Sequence, residues 1–310
     1  MRTALKLTAF AAALAATFGT AYGVGQGVAP VVEDRPPARH DTHTEAATEG
    51  GDDHGGHEAT PAGGLQISEG GYTLDLRTPR VTAGERSELR FTIRDVGGDA
   101  VTAYRREHDK ELHLIVASRD LITYRHLHPT RAADGTWSIP VELPRAGGYR
   151  VFADFTPAKK GAKNLTLGAD LAAAGPYEPK QLPAPSNVAR IHGYEVKLSG
   201  GLRPGAESEL KLTVSRNGRP VTDLQPYLGA YGHLVALRSG DLAYLHVHPT
   251  TATKPGPDIS FAATAPSSGT YRLFLDFKHA GTVHTAAFTV HAGQATAEEP
   301  AHEEAEGHGH

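Results

Sequence analysis

The chain has 310 residues, no cysteine, a single methionine and a formal net charge of −4 at pH 7. This length allows two or three domains, each with its own core. The lack of cysteine excludes disulfide bonds, thiolate metal sites and iron–sulfur clusters, and the acidic balance argues against nucleic acid as the main partner. The 18 histidines leave imidazole and carboxylate as metal ligands, and these suit zinc, copper(II) or nickel(II).

The chain opens on a basic and then strongly apolar segment. Arg2 and Lys6 precede a run without charged residues that extends to Val32, which is the pattern of an export signal. The run is also long enough to cross a bilayer, because about 20 residues suffice. We therefore expect residues 1–32 to be a cleaved signal peptide or an N-terminal membrane anchor. In either case the remainder of the chain is expected to be extracytoplasmic, either secreted or anchored in the cytoplasmic membrane.

One low-complexity stretch follows this leader, and another lies at the end of the sequence. Residues 33–64 are rich in acids, histidine, glycine and proline, and residues 293–310 carry mainly glutamate, histidine, alanine and glycine. Such compositions cannot bury enough apolar surface to fold alone, so we expect both stretches to be disordered. They are either solvated spacers or loose metal-collecting tracts of mixed imidazole and carboxylate groups.

Between these stretches lie two copies of one unit, residues 65–175 and 189–292, joined by a proline-rich linker at 176–188. The segment GYTLDL in the first copy matches GYEVKL in the second, and ELRFTI matches ELKLTV. Each copy has about seven short β-rich runs within about 100 residues. The sequence therefore predicts an all-β protein of two tandem immunoglobulin-like or cupredoxin-like β-sandwich domains. Tyr149 and Tyr271, each at the start of a strand, are expected to form tyrosine corners.

The most informative stretch occurs twice, as LHLIVASRDLITYRHLHP from residue 112 and as GHLVALRSGDLAYLHVHP from residue 232. Each copy consists of two β-rich runs around a short turn, which indicates a hairpin. With a two-residue turn at Arg119-Asp120, His113 faces His126 across the hairpin, and His128 lies further along on the same face. With the turn at Ser239-Gly240, the second copy repeats this arrangement with three corresponding residues, His233, His246 and His248.

The predicted spacing brings three imidazoles in each hairpin close enough to bind one ion. Directly opposed Cβ atoms in a sheet lie about 4.5–5.5 Å apart, and diagonal neighbours about 7–8 Å apart. The sequence therefore predicts one divalent transition metal site, for zinc or copper, in each domain. The alternative is that each histidine is structural and bonds to backbone near the end of its strand. The candidate ligands are His113, His126 and His128 in the first domain and His233, His246 and His248 in the second.

The face that carries the histidines is expected to point into its own sandwich, at an end where the core opens to solvent. In the first hairpin this face also carries Ile115 and Ala117, whereas Thr123 and Arg125 lie on the other face. A cluster of unliganded imidazoles there would have to desolvate its polar rings or charge them side by side. A bound cation removes both difficulties.

One aspartate follows each hairpin in a matching segment, Asp154 in FADF and Asp276 in FLDF. Each is a candidate fourth ligand, or a partner that orients an imidazole by accepting its second N–H. The remaining alternative is a hydrogen bond at the end of a strand, with no part in metal binding.

The segment ELHLIVASRDLITYRHLHP, followed by DGTWSIPVELPRAGGYRVFADF, resembles a group of uncharacterised actinobacterial proteins that are secreted or membrane-anchored. Similar H-x-H-P hairpins occur in small bacterial immunoglobulin-like domains that are loosely linked with heavy-metal and copper handling. The resemblance covers roughly residues 66–292. It implies β-sandwiches outside the cytoplasmic membrane, with the hairpin histidines as candidate ligands. The chain lacks the methionines of copper-resistance sandwiches, so carriage of copper(I) is not expected.

These observations favour an exported, non-enzymatic protein that binds a divalent transition metal ion. A first alternative is a structural or interaction module at the cell surface whose histidines only pack. A second is a metal-dependent hydrolase or hydratase that uses an open coordination position. The sequence contains no G-x-S-x-G, P-loop, dinucleotide-binding or H-E-x-x-H motif. The expected partners are the metal ion, a cell-envelope protein and, where the leader is uncleaved, the membrane.

Overall fold

The computed structural model describes residues 62–245, 247–250 and 254–293. The predicted leader at 1–32, nearly all of the stretch 33–64 and the tail after Gly293 lie outside the described residues, as does His246. The described part of the chain is all-β and forms two sandwiches of similar size. It includes no helix that is long and apolar enough to cross a membrane.

The first immunoglobulin-like sandwich is built from two sheets. One has the strand order β1-β2-β4-β9-β8, and the other has the order β3-β11-β10-β6-β7, with β5 paired to β10. The strands are β1 (Ser68–Glu69), β2 (Tyr72–Leu76), β3 (Arg80–Thr82), β4 (Arg86–Arg94), β5 (Tyr104–Arg105), β6 (Leu112–Ser118), β7 (Tyr124–Leu127), β8 (Thr130–Arg131), β9 (Thr136–Glu142), β10 (Gly147–Pro157) and β11 (Leu165–Ala174).

The second sandwich repeats this plan. One sheet has the order β12-β13-β14-β19-β18, with β15 paired to β14, and the other has the order β17-β16-β20-β21. The strands are β12 (Val188–Ile191), β13 (Tyr194–Ser199), β14 (Glu207–Arg216), β15 (Arg219–Pro220), β16 (Gly232–Arg238), β17 (Tyr244–Leu245), β18 (Val247–Pro249), β19 (Asp258–Thr264), β20 (Gly269–His279) and β21 (Thr282–Ala292).

The strands that line each core have alternating apolar and polar side chains, a pattern that favours a β-strand with one buried face. On β4, Leu89, Phe91 and Ile93 are fully buried, whereas Arg90 between them is exposed. This period of two places one face of the strand in the core, and on the other face Arg90 is exposed while Thr92 is buried. Phe91 stacks on Trp137 of β9, with 6.2 Å between the ring centres.

Both predicted tyrosine corners are confirmed. The Tyr149 hydroxyl donates to the carbonyl of Arg145 at 2.7 Å, and the Tyr271 hydroxyl donates to the carbonyl of Ser267 at 2.8 Å. Each bond pins the connection that precedes β10 or β20. These two strands pair with β6 and β16, the first strands of the histidine hairpins, so the corners help to fix the hairpins.

The register of both hairpins differs from the prediction by two residues. Ile115, not His113, faces His126, and Ala236 faces Leu245. The loops contain four residues each, 119–122 and 239–242, instead of two. In each loop an aspartate, Asp120 or Asp241, accepts a hydrogen bond from a backbone N–H, and the following leucine has a positive φ of 54° or 62°. These are features of a longer hairpin loop, and because the shift is even, the histidines keep their common face.

The prediction that this face points into its own sandwich is wrong. Leu114 and Val116 of β6 belong to the core of the first domain, whereas Ile115 and Ala117, on the histidine face, belong to a separate cluster shared with the second domain. The face is apolar because the other sandwich covers it. A strand that is buried on both sides does not reveal from its apolar residues which side is the core.

Two equivalent aromatic contacts join the sandwiches across this interface, one with the tyrosine from the first domain and one with the tyrosine from the second. Tyr124 stacks on Phe274 with 4.1 Å between the ring centres, and Tyr244 packs on Phe152 at 5.6 Å. Tyr124 and Tyr244 are repeat equivalents, and so are Phe152 and Phe274. The same patch of each copy therefore meets the other, as in the two-fold interface of a homodimer. Leu182 of the linker also packs on this cluster.

Candidate metal centre

Three imidazoles of the first domain form the centre of the site. His113 lies on β6, His126 on β7, and His128 directly after β7. One nitrogen from each ring can be chosen so that all three lie within 4.8 Å of one another. The ring centres are 5.3, 5.2 and 4.8 Å apart. Rings bound through nitrogens about 2 Å from one tetrahedral ion have centres about 5 Å apart, so the trio is spaced for a metal ion.

Hydrogen bonds at the outer nitrogens determine which nitrogens face the centre. Nε2 of His113 lies 3.1 Å from the carbonyl oxygen of Glu107 and donates to it, because a carbonyl only accepts. Nδ1 of His126 donates to Oδ2 of Asp276 at 2.9 Å. The inner nitrogens, Nδ1 of His113 and Nε2 of His126, are 3.1 Å apart. In the neutral rings both hold lone pairs, so a shared proton or a cation has to lie between them.

His128 adds a buried polar atom close to the other two rings. Its Nε2 has no hydrogen-bond partner among the described residues. Leaving a buried donor or acceptor unpaired costs about 1–3 kcal/mol. The ring packs against His113, His126 and Tyr227. A metal ion bound within the trio would give this nitrogen a partner.

Burial keeps two of these imidazoles neutral at physiological pH. Desolvation lowers the pKa of His113 from 6.5 to about 3, and charge on His126 acts in the same direction. Desolvation also lowers the pKa of His128 from 6.5 to about 3, again with a smaller contribution from His126. The neutral imidazole is the form that binds a metal, so these rings need not lose a proton first.

Asp276 reaches the trio from the second domain. It lies on β20 opposite His233 of β16, and its side chain is 3% exposed. Its Oδ1 accepts from the hydroxyl of Thr285 at 2.5 Å, while Oδ2 accepts from His126. A carboxylate that receives the second N–H of a histidine is the usual partner of a ligating imidazole. Of the roles open to Asp276, this geometry fits orientation of an imidazole, although that imidazole belongs to the other domain.

Asp154 occupies the corresponding place in the first domain but has different partners. It lies opposite His113 in the ladder between β6 and β10. Its Oδ1 accepts from Nδ2 of Asn164 at 2.7 Å, and the hydroxyl of Tyr244 also bonds to it. Burial raises the pKa of Asp154 from 3.8 to about 6. The structure thus holds Asp154 beside the histidine trio and outside the group whose ligand atoms converge.

Two further histidines lie against the trio. The ring of His233, from the second domain, is 6.0 Å from that of His126 and 6.3 Å from that of His113. The ring of His108 is 5.1 Å from that of His233 and 6.1 Å from that of His113. Sequence reasoning did not assign His108 to the site, because the second copy has no histidine there. Its position five residues before His113 was the one signal that pointed to it.

The second predicted trio is only partly described. His248 lies on β18, which pairs with β19 in the sheet opposite to that of His233. His246 lies outside the described residues. His233 approaches the first trio from the second domain, and a separate metal site in that domain stays a prediction.

A cavity of about 310 Å³ adjoins the trio at the domain interface. Its walls come from both sandwiches and include His113, His126, Asp154, His233 and His248. Most of the remaining lining residues are apolar, and Glu107, His108 and Asn164 add polar groups. The arrangement places a cluster of imidazoles beside a space that holds several water molecules or one small ligand.

Comparison with known proteins identifies a family for both sandwiches. The model of a domain of unknown function, DUF8832, matches residues 66–166 and residues 189–294. The chain belongs to this family. The two matches agree with the internal repeat seen in the sequence, and each covers most of one sandwich. No curated protein sequence matches the chain.

Solved structures share only a distant likeness. FdeC, an Escherichia coli adhesin, is 16% identical over 76% of this chain and 66% of its own chain, with a TM-score of 0.23. The alpha-2-macroglobulin of Salmonella is 15% identical over 76% of this chain and 15% of its own, with a TM-score of 0.25. The Lin-41 filamin domain is 13% identical over 34% of this chain and 95% of its own, with a TM-score of 0.22. Likeness at this level carries no argument about function.

Proposed function

We propose that this protein binds one divalent transition metal ion, zinc or copper(II), between its two sandwiches and catalyses no reaction. The observation that carries the proposal is the trio of His113, His126 and His128, whose ligand nitrogens lie within 4.8 Å of one another. Nδ1 of His113 and Nε2 of His126 face each other at 3.1 Å, and Nε2 of His128 is buried without a partner among the described residues. One cation satisfies all three.

The arrangement of the ring nitrogens supports a metal ion in preference to a shared proton. A proton shared between His113 and His126 bonds only these two rings. It also leaves Nε2 of His128 unpaired. A metal ion instead binds the neutral rings, and the nearby carboxylate of Asp276 offsets part of its charge.

The ligand chemistry supports zinc or copper(II). Imidazole suits zinc, copper and nickel, and the cysteine-free chain offers no thiolate for softer ions. The ring spacing of about 5 Å within the trio agrees with a tetrahedral ion, which is the geometry that zinc prefers. The heavy-metal handling implied by the sequence resemblance is part of this proposal.

The setting of the proposed function is outside the cytoplasm. The support comes from the sequence alone, namely the basic and apolar segment at residues 1–32 and the histidine- and acid-rich stretches 33–64 and 293–310. These stretches would raise the metal concentration near the folded domains. A partner in the cell envelope would supply or receive the ion.

A metal-dependent hydrolase is a second candidate, because the cavity beside the trio gives an open coordination position room for a substrate. Turnover of 4-nitrophenyl acetate by the zinc-loaded chain would favour it, provided that the turnover is lost when His113, His126 and His128 are all replaced by alanine.

A metal-free interaction module has weaker support. The apolar sheet face that such a module would offer to a partner is covered by the second sandwich. The exposed large apolar residues in the described part are Leu65, Ile67, Val96, Tyr177 and Val283.

A metal titration of the full chain tests the proposal. The metal-free wild type is compared with the variant His113→Ala, His126→Ala, His128→Ala and with the control His291→Ala, which removes an exposed imidazole of β21. The wild type and the control are expected to bind one ion tightly, above weak binding by the low-complexity stretches, and the trio variant is expected to lose the tight site. Equal tight binding in all three proteins would overturn the proposal. The single variant His128→Ala serves if the trio variant fails to fold.

A further inference from the structure

We infer that His233 of the second sandwich is the fourth ligand, so that the bound ion joins the two domains. This inference rests on the proposed metal site and adds a ligand from the other half of the chain. It changes the expected role of His233, which the repeat alone places in a separate site of its own domain. The ion then becomes a part of the domain interface.

The backbone contact of His233 matches that of His113. Nε2 of His233 lies 2.7 Å from the carbonyl oxygen of Tyr227, just as Nε2 of His113 lies 3.1 Å from that of Glu107. A carbonyl only accepts, so Nε2 carries the proton in both rings. Nδ1 of His233 is therefore the nitrogen with the lone pair, as Nδ1 of His113 is within the trio.

The distances from the ring of His233 to the rings of His126 and His113 are about 1 Å longer than in a four-imidazole site. The ring of His233 is 6.0 Å from that of His126 and 6.3 Å from that of His113. Four rings on one tetrahedral ion would have centres about 5 Å apart. A shift of about 1 Å in the ring of His233 would bring it to this spacing from His113 and His126, and a movement of this size is within the range of side-chain adjustment at ligand sites. The cavity beside the trio provides the space for that shift.

The surroundings of His233 hold it ready to bind. The ring packs against Tyr227 at 5.7 Å between centres, and β16 fixes its backbone opposite Asp276. The strand that carries His233 thus also faces the carboxylate that orients His126. In the second domain, β16 thereby supplies the ligand His233, and β20 supplies the carboxylate that orients His126 of the first domain.

His108 is the competing fourth ligand. Its ring is 5.1 Å from that of His233 and 6.1 Å from that of His113. It is exposed and belongs to the first domain, so its coordination would leave the ion within one sandwich. A half-buried imidazole with a fixed tautomer loses less freedom on binding than an exposed one. The geometry therefore favours His233, and a variant of each residue separates the two.

Cobalt(II) replaces zinc as a spectroscopic probe of the full chain. We compare the wild type, His233→Ala, His108→Ala and the trio variant by visible absorption and by cobalt affinity. Wild type and His108→Ala are expected to show the intense bands of four-coordinate cobalt(II). His233→Ala is expected to keep one bound ion with affinity reduced more than about tenfold, and with shifted bands because water replaces the fourth imidazole in the ligand field.

The outcomes distinguish this inference from the proposed function. An unchanged spectrum and affinity in His233→Ala overturn the inference while leaving the trio site in place. A spectral change in His108→Ala, with His233→Ala unchanged, overturns it in favour of the single-domain site. Absence of any difference between wild type and the trio variant means that the proposed metal site itself fails.

Discussion

Nδ1 of His126 in the first sandwich donates to Oδ2 of Asp276 in the second across 2.9 Å, and the two side chains are only 6% and 3% exposed. The residues are 150 positions apart in the chain. Their bond makes the histidine trio and the domain interface a single structural unit. A change at the interface should therefore affect metal binding, and a change in the trio should affect how firmly the domains pack.

Removal of the Asp276 carboxylate is expected to weaken metal binding without removing a ligand. In Asp276→Ala, His126 loses the acceptor that holds its tautomer, and the affinity should fall about 10- to 100-fold. Asp276→Asn keeps an oxygen that accepts from the N–H of His126 but loses the charge. Its metal affinity should therefore lie between that of the alanine variant and that of the wild type. Competition titration against a chelator measures both. Wild-type affinity in the alanine variant would contradict this role.

Loss of the Phe274 ring is expected to loosen the interface and the metal site together. Phe274 is 2% exposed and stacks on Tyr124 at 4.1 Å. Truncation of a buried phenylalanine costs about 3–5 kcal/mol, so Phe274→Ala should unfold at lower denaturant concentration and bind zinc more weakly. Val283→Ala, at an exposed position on β21, is the control and should change neither. Weaker stability with unchanged zinc affinity would show that the interface and the site are independent.

The metal site is expected to tolerate acid better than ordinary histidine sites. A histidine with a pKa of 6.5 binds protons in competition with metal below that pH, whereas the pKa values of His113 and His128 are lowered to about 3. Zinc affinity should thus fall less between pH 7 and pH 5 than it would at a site in which all three ligands were histidines with a pKa of 6.5. Titration at several pH values measures this. A hundredfold or greater loss across that range would mean that the rings are protonated normally.

The same lowered pKa values predict the pH dependence of the metal-free fold. The unfolded chain binds protons at these histidines as the pH falls through 6.5, but the folded chain does so only near pH 3. Stability from the neutral rings is therefore full above pH 6.5 and is lost as the pH falls from 6.5 towards 3. The variant His113→Gln, His128→Gln should show a flatter stability profile in that range by chemical denaturation. A parallel profile would contradict the burial of neutral rings.

The buried carboxyl group of Asp154 is expected to change stability with pH in the opposite direction, and Asp154→Asn should remove this effect. Burial raises the pKa of Asp154 from 3.8 to about 6, so the folded chain keeps a proton that the unfolded chain has lost between these values. The wild type therefore loses stability as the pH rises from about 4 to 6. Two pKa units correspond to about 3 kcal/mol, which is the ceiling for the gain of Asp154→Asn at pH 7 over its effect at pH 4. A pH-independent difference between the two proteins would rule out the raised pKa.

Much of the fold and part of the site follow from the sequence. The repeat, the alternation in strands such as β4 and the turn residues predict two all-β sandwiches, and the spacing of His113, His126 and His128 predicts their common face. The register was wrong because the loop length depends on local bonds such as that from the backbone of Ile122 to Asp120. Turn residues alone allow loops of two or four residues.

The domain interface could not be predicted from the sequence. Ile115 and Ala117 make the histidine face as apolar as a core face, and no local pattern separates a face buried within a domain from one buried between domains. The pairing of His126 with Asp276 depends on how the two copies meet, because Asp154 is the nearer aspartate in the chain. His108 was missed because a repeat comparison overlooks residues found in one copy only.

The most direct test of the central claim is anomalous diffraction from crystals of the full chain grown with zinc and measured at the zinc absorption edge. We expect a single strong peak about 2 Å from Nδ1 of His113 and Nε2 of His126, and equally close to a ring nitrogen of His128. A well-ordered trio without a peak, in crystals that show zinc elsewhere on the protein, would contradict a metal centre between the two sandwiches.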